Sequence, residues 1–185
     1  MEKNLLRQAM QQRRRALARE QIAQHSREVA ARVRKLPEYL RARTIALYAS
    51  IDGEPDLTEL AVEGIAAGAT VCYPRIDADV LCFVPVSDPS ALRPARFNIP
   101  APGAEARTVT QDVIDVYLVP GLAFDLCLQR LGHGLGFYDV ALRGARGFKV
   151  GVGHDFQVVD VVPASEHDIA MDAVVTETRV LRRVP

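Results

Sequence analysis

The sequence predicts an α/β fold of three layers, α/β/α, with a largely parallel (mixed) sheet in a single domain spanning residues 1–185. Three observations carry this reading. Short apolar runs of the kind buried on both faces recur along the chain. They alternate with helical patterns through most of its length. The 185 residues, 49% apolar and 25% charged, suffice for one core without disulfide or metal staples.

The elements follow in order. Over residues 3–35, Leu5, Leu6, Met10, Leu17, Ile22, Val29 and Val33 recur at roughly helical spacing. They predict one or two helices, closed by Pro37. Thr44–Ser50 reads as a buried strand and Asp52-Gly53-Glu54-Pro55-Asp56 as a turn. A helix capped by Asp56 or Thr58 runs to about Ala67, with Gly68 as its stop. Thr70–Pro74 and Val80–Val86 are strands. Residues 87–111, rich in Pro, Ala and Gly, read as an extended surface loop. Val113–Pro120 is the strongest strand of all. After a glycine-rich segment, Tyr138 to about Arg146 reads as helix. Phe148–Val152, Val158–Val162 and Asp172–Thr176 read as further strands.

Composition narrows the functional classes. The formal net charge is zero, so the chain as a whole has no nucleic-acid footprint. Residues 1–34 nevertheless carry nine basic residues against Glu2, Glu20 and Glu28. On composition alone that excess reads as a solvated helix face. Cys72, Cys82 and Cys127 form no Cys-x-x-Cys pair, which fits reduced thiols in a cytoplasmic protein. No apolar run reaches a membrane-spanning length. The expectation is a cytoplasmic monomer acting on a small molecule, with no nucleic-acid or membrane partner.

The strongest strand leads into Arg130-Leu131-Gly132-His133-Gly134-Leu135-Gly136-Phe137-Tyr138-Asp139. Alternating glycines let backbone N–H groups turn toward an anion without Cβ obstruction. Arg130 can hold a phosphate bidentately, and a helix start adds a favourable dipole end. The spacing matches neither the Walker pattern nor Gly-x-Gly-x-x-Gly. On spacing alone, a phosphate cradle and a tight strand-to-helix connection without ligand both remain open.

Larger blocks of residues carry a resemblance. Val119-Pro120-Gly121-Leu122-Ala123-Phe124-Asp125 followed by the Arg130–Asp139 segment resembles the signature of 5-formyltetrahydrofolate cyclo-ligases. Lys3-Asn4-Leu5-Leu6-Arg7 with Arg13 is similar to that family's first helix. Tyr48, Glu54 and Thr58, then Tyr73-Pro74-Arg75 with Leu81 and Phe83, match its early strands. Asp155-Phe156-Gln157, Pro163, Glu166-His167-Asp168, Asp172 and Thr176-Glu177 match its tail. The resemblance implies an ATP- and Mg²⁺-dependent ligase. Such an enzyme converts 5-formyltetrahydrofolate to 5,10-methenyltetrahydrofolate and releases ADP and phosphate. Phosphoryl transfer to the formyl oxygen makes a leaving group, and the second folate nitrogen closes the ring. The protein mostly positions two ligands and neutralises charge.

The resemblance also implies roles. Lys3, Arg7, Arg130, Leu131, Gly132, His133, Gly134, Leu135, Gly136, Phe137 and Tyr138 would surround ATP, with Arg130 the catalytic residue. Glu54 would bind the folate at its pterin, bordered by His133 to Phe137. Asp139 and Asp168 would hold Mg²⁺, since carboxylates with phosphate oxygens and waters suit that ion. Tyr48 and Phe83 read as core. His133 is assigned no catalytic role. His154 and His167 read as surface residues and Cys127 as incidental. Three positions depart from the family pattern: Leu128 where glycine is usual, Leu135 for glycine or lysine, and Ala101 for glutamate. Leucine adopts a positive φ with difficulty, so a different turn is expected before Arg130. These departures motivate one alternative, a non-catalytic nucleotide- or folate-binding regulator with the same fold.

Overall fold

The computed structural model describes residues 2–183. The amino-terminal stretch forms two helices, α1 (Lys3–Arg15) and α2 (Arg19–Val33). The break at residues 16–18 is capped where Gln21 accepts the N–H of Ala18 at 3.0 Å. Pro37 does more than end this stretch. It occupies the first turn of a short helix, α3 (Pro37–Arg41), where its missing N–H leaves no bond unmade. Then come β1 (Thr44–Ala46), α4 (Thr58–Ala66), β2 (Thr70–Asp77) and β3 (Val80–Pro85). Asp56 accepts the Thr58 N–H at 2.9 Å, and Gly68 ends α4 at φ +83°.

Residues 87–111 contain the small hairpin β4 (Arg93–Pro94) and β5 (Pro100–Ala101). The strongest predicted strand is β6 (Val116–Pro120). A second hairpin, not foreseen, follows: β7 (Ala123–Asp125) and β8 (Arg130–Leu131). The predicted helix after the glycines shrinks to α5 (Phe137–Ala141), too short for a strong dipole. The chain finishes with β9 (Phe148–Val152), β10 (Val158–Val159), β11 (Ala173–Val175) and β12 (Val180–Arg182).

The large sheet has the order β12-β11-β9-β6-β1-β2-β3. Its five central strands are parallel, and the edge strands β12 and β3 pair antiparallel. Strand alternation sorts the core onto two faces. Ile45, Leu47, Val116, Leu118, Val150 and Val152 pack with Val29, Val33, Leu57 and Leu60 of the α2–α4 side. Ala46, Tyr117, Val119 and Val174 meet Phe83, Phe124, Leu128, Leu142 and Met171 on the other. That second side is thin, built from the β7–β8 hairpin and α5. A separate cluster seats α1 through Leu6 and Met10 on Leu122, Ala123, Leu131 and Val162.

Leu128 corrects the expectation of a different turn. It adopts φ +64°, as a glycine would. Asp125 over-determines the turn: its Oδ1 accepts the N–H groups of Cys127 and Gln129, both at 2.9 Å. Its Oδ2 accepts Val162 N–H at 2.9 Å. The left-handed conformation costs about 1–2 kcal/mol. The Leu128 side chain is wholly buried, and truncating such a leucine costs about 2–5 kcal/mol. Burial outweighs strain, so Leu128→Gly is expected to lower stability although it suits the backbone. Urea unfolding checks this, and equal or higher stability would contradict it.

Candidate active site

Strand order reverses between β1 and β6. From β1 the chain crosses to β2 on one side, while β6 lies on the other. Such a switch opens a crevice beyond the carboxyl ends of the two strands. The residues leaving those ends line a cavity of about 510 Å³. Every residue predicted for the site lies on its wall: Lys3, Arg7, Glu54, the run from Arg130 to Asp139, and Asp168. Arg130 and Leu131 reach it from strand β8 rather than from a loop.

Part of the cavity wall is basic. Arg130 is buried, and its Nη2 donates to both carboxylate oxygens of Asp139 at 3.1 Å. Its Nη1 donates to the Pro120 carbonyl at 3.2 Å, while its buried Nε has no partner among the described residues. A buried donor left unmade is costly, which marks Nε as a group that wants an acceptor. Arg7 Nε donates to the Gly132 carbonyl at 2.9 Å. Lys3 Nζ donates to Asp168 Oδ2 at 2.7 Å, an oxygen that also accepts the Ser165 N–H and hydroxyl. Two of the three glycines have a cation beside them, while Gly136 has open space and is accounted for by its φ of +70°. A Cβ on Gly132 would lie 2.9 Å from Arg130 Nη1, and one on Gly134 3.3 Å from the Arg7 guanidinium carbon. Gly134 also sits at φ +103°.

Burial raises the Asp168 carboxyl, but the Lys3 ammonium and the Ser165 donors outweigh it and hold it below its ordinary value. A lowered folded value means stability present above the unfolded value of about 3.9 and lost as pH falls through the folded one. Lys3→Ala is expected to flatten this acid limb. Unchanged acid-titration curves would disprove the linkage.

Glu54 supplies an acidic group to the same wall. It is buried, and Arg14 Nη1 donates to its Oε1 at 3.1 Å. The Ile51 N–H donates to its Oε2 at 3.1 Å, and His133 Nε2 lies 3.9 Å from Oε1. Arg14 is 1% exposed and donates from Nε to the Asp52 carbonyl at 2.8 Å. Sequence reading left Arg14 on a solvated basic face. The signal was its four-residue spacing from Leu6 and Met10, which puts all three on the buried face. The Tyr48 and Tyr138 phenols are pushed up by burial and by the Glu54 charge, so both stay protonated at neutral pH. Tyr48 is core, as expected, and donates to the Pro55 carbonyl at 2.6 Å. Phe83 is also core, edge-on to Tyr117.

Residues 87–111 do more than cover the surface. Arg96, Phe97, Ile99 and Ala101 line the cavity. Phe97 holds φ +58°, with its ring 6.1 Å from that of Phe137. The Arg96 guanidinium lies 5.0 Å from the Phe97 centroid and 5.9 Å from the Phe137 centroid. Arg75 ties the segment down by donating to the Gly103 and Ala106 carbonyls. The result is an aromatic ledge that can receive a flat heterocycle. The sequence signal was weak because these residues sit among Pro and Ala, far from the glycine run. Leu135 is 60% exposed, Cys127 and His167 are exposed, and His154, expected at the surface, is fully buried.

Comparisons with known proteins agree with this geometry. A profile of the 5-formyltetrahydrofolate cyclo-ligase family matches residues 1–177. The 5-formyltetrahydrofolate cyclo-ligase of Escherichia coli K12 is 37% identical over 178 residues, covering 92% of this chain and 98% of that protein. The probable 5-formyltetrahydrofolate cyclo-ligase of Schizosaccharomyces pombe is 29% identical, covering 100% of this chain and 99% of that one. The Aquifex aeolicus 5,10-methenyltetrahydrofolate synthetase structure superposes with a TM-score of 0.88 at 36% identity, covering 98% of this chain and 93% of that one. The fold, the convergence of the residues on one cavity and the full-length matches agree: this chain belongs to the 5-formyltetrahydrofolate cyclo-ligase family.

Proposed function

We propose that the chain closes 5-formyltetrahydrofolate to 5,10-methenyltetrahydrofolate with conversion of ATP to ADP and phosphate. The observation that carries the reading is one cavity whose wall holds unlike groups: Lys3, Arg7 and Arg130 with two aspartates, a buried Glu54, and the Phe97–Phe137 ledge. The basic groups suit a polyphosphate. Glu54, with acceptor capacity left on a carboxylate held by Arg14 and Ile51, suits the N–H donors of a pterin.

The donor set fits Mg²⁺ together with ATP. Among the described residues Arg130 Nε has no partner and can take an acceptor oxygen, and the hydrogen bonds to Asp168 fall on Oδ2, leaving Oδ1 without one. Asp139 and Asp168 would hold the ion with phosphate oxygens and waters, and the ion would neutralise charge on the transferring phosphoryl group. Arg130 then neutralises developing charge from a planar fork that Asp139 keeps oriented. Lys3 and Arg7 carry the remaining phosphate charge from α1. Glu54 and the His133–Phe137 backbone hold the folate so that its formyl oxygen faces the phosphates.

Incubation with Mg-ATP and 5-formyltetrahydrofolate is expected to produce the methenyl absorbance, with ADP appearing only when folate is present. No product above background would sink the proposal. The alternative, a non-catalytic regulator, loses one of its motives because Leu128 keeps the glycine-type turn. Tight ligand binding without phosphate release would favour it.

A further inference from the structure

Away from the cavity, three side chains from distant parts of the chain converge. His25 lies on α2, His154 follows β9 and Glu177 follows β11. His25 Nδ1 is 3.0 Å from His154 Nδ1 and 3.6 Å from Glu177 Oε1. One ligating atom from each residue lies within 4.8 Å of those of the other two. His154 is wholly buried, Glu177 is nearly so, and His25 keeps partial access to solvent. We propose that His25, His154 and Glu177 form a binding site for a divalent transition-metal ion of the Zn²⁺ type, held by two imidazole nitrogens and one carboxylate oxygen.

The tautomers support this. His154 Nε2 lies 2.8 Å from the Gly53 carbonyl, which can only accept, so Nε2 carries the hydrogen and Nδ1 presents a lone pair. A metal-binding histidine is typically oriented in this way, its other ring nitrogen donating to a backbone carbonyl. Glu177 is oriented too: its Oε2 accepts the Asp155 N–H at 2.8 Å, leaving Oε1 toward His25. Phe156 stacks on the His154 ring at 5.5 Å and 6°, which limits its rotation. Burial depresses the His154 basicity and keeps the ring neutral, as a ligand must be. With no ion bound, His25 must donate its Nδ1 hydrogen to His154. On metal binding that hydrogen leaves Nδ1 for solvent and the ring is protonated on Nε2 instead, so no net proton is lost from the neutral ring.

Two nitrogens and one carboxylate oxygen give three protein ligands, and the partial solvent access at His25 leaves a way in for a fourth from water. Arg14 opposes the ion by its charge, but its own ion pair with Glu54 offsets part of that field. The site does not depend on the proposed ligase activity. It would join α2 to both carboxyl-terminal loops behind the Gly53–Glu54 turn.

The test is Zn²⁺ titration of nucleotide-free, metal-stripped protein, followed by metal analysis after dialysis and by thermal unfolding. Stoichiometric Zn²⁺ with a raised Tm is expected. His25→Ala and Glu177→Gln should each weaken binding roughly tenfold or more. Asp139→Asn should leave it unchanged. Co²⁺ substitution should give the intense visible bands of low-coordinate geometry, lost in His25→Ala. Absence of stoichiometric Zn²⁺ in the wild type would overturn the proposal. So would Zn²⁺ that persists in His25→Ala but is lost in Asp139→Asn, since the ion would then sit in the nucleotide cavity.

Discussion

Arg130→Lys is expected to fold normally and to lose about 10³-fold in kcat, the scale of a guanidinium that stabilises phosphoryl transfer. The substitution keeps the positive charge and removes the fork. Arg130 uses Nη1 for Pro120 and Nη2 for both oxygens of Asp139, and its buried Nε has no partner among the described residues. A lysine ammonium is a point charge on a flexible stem and cannot serve those directions together. Because charge is retained, nucleotide affinity should fall much less than turnover. Folate-dependent ADP release and nucleotide titration separate the two effects, and far-UV circular dichroism checks the fold. Turnover within about tenfold of the wild type would remove Arg130 from the reaction.

Arg14→Met is expected to be among the most destabilising single changes in the chain, costing about 3–5 kcal/mol. It strands Glu54, a carboxylate 5% exposed, without its counter-ion. Methionine fills much of the volume, so the loss reports charge rather than a cavity. The Arg14→Met, Glu54→Gln double variant should regain a large part of that loss, because no unpaired charge then remains buried. Both are measured by guanidinium unfolding. A single variant within about 1 kcal/mol of wild type would show that the pair does not hold α1 to the Gly53–Glu54 turn. Glu54→Gln should also raise KM for the folate more than for ATP, since only the folate end meets Glu54 in the proposed arrangement.

Periodic segments were legible in the sequence because each has a local cause. The α1–α2 stretch, the apolar runs at Thr44, Val116 and Phe148, and the Gly68 stop follow from residue spacing and backbone chemistry. The same is true of the glycine run, whose composition announced close backbone approach. The shortest elements were not legible. The strand β8, the β12 edge and the hairpin at residues 93–101 have two or three residues per strand, too few to show alternation, although each pairs with nearby chain. Pro37 read as a stop because a proline can both end one helix and begin another, and the five residues that follow are too few to show a helical period. Leu128 misled for a different reason: its φ is set by Asp125 and by burial, neither of which is local propensity.

The sequence by itself determined the α/β class, the family and a set of residues that line one cavity, because those depend on periodicity, glycine spacing and residue type. Tertiary structure alone decided their partners. It put Arg14 against Glu54, Lys3 against Asp168 and Arg130 against Asp139, and it buried His154 beside His25 and Glu177. The physical reason is that charge pairing and desolvation act between residues 9 to 165 positions apart, and no local pattern encodes which of them will meet.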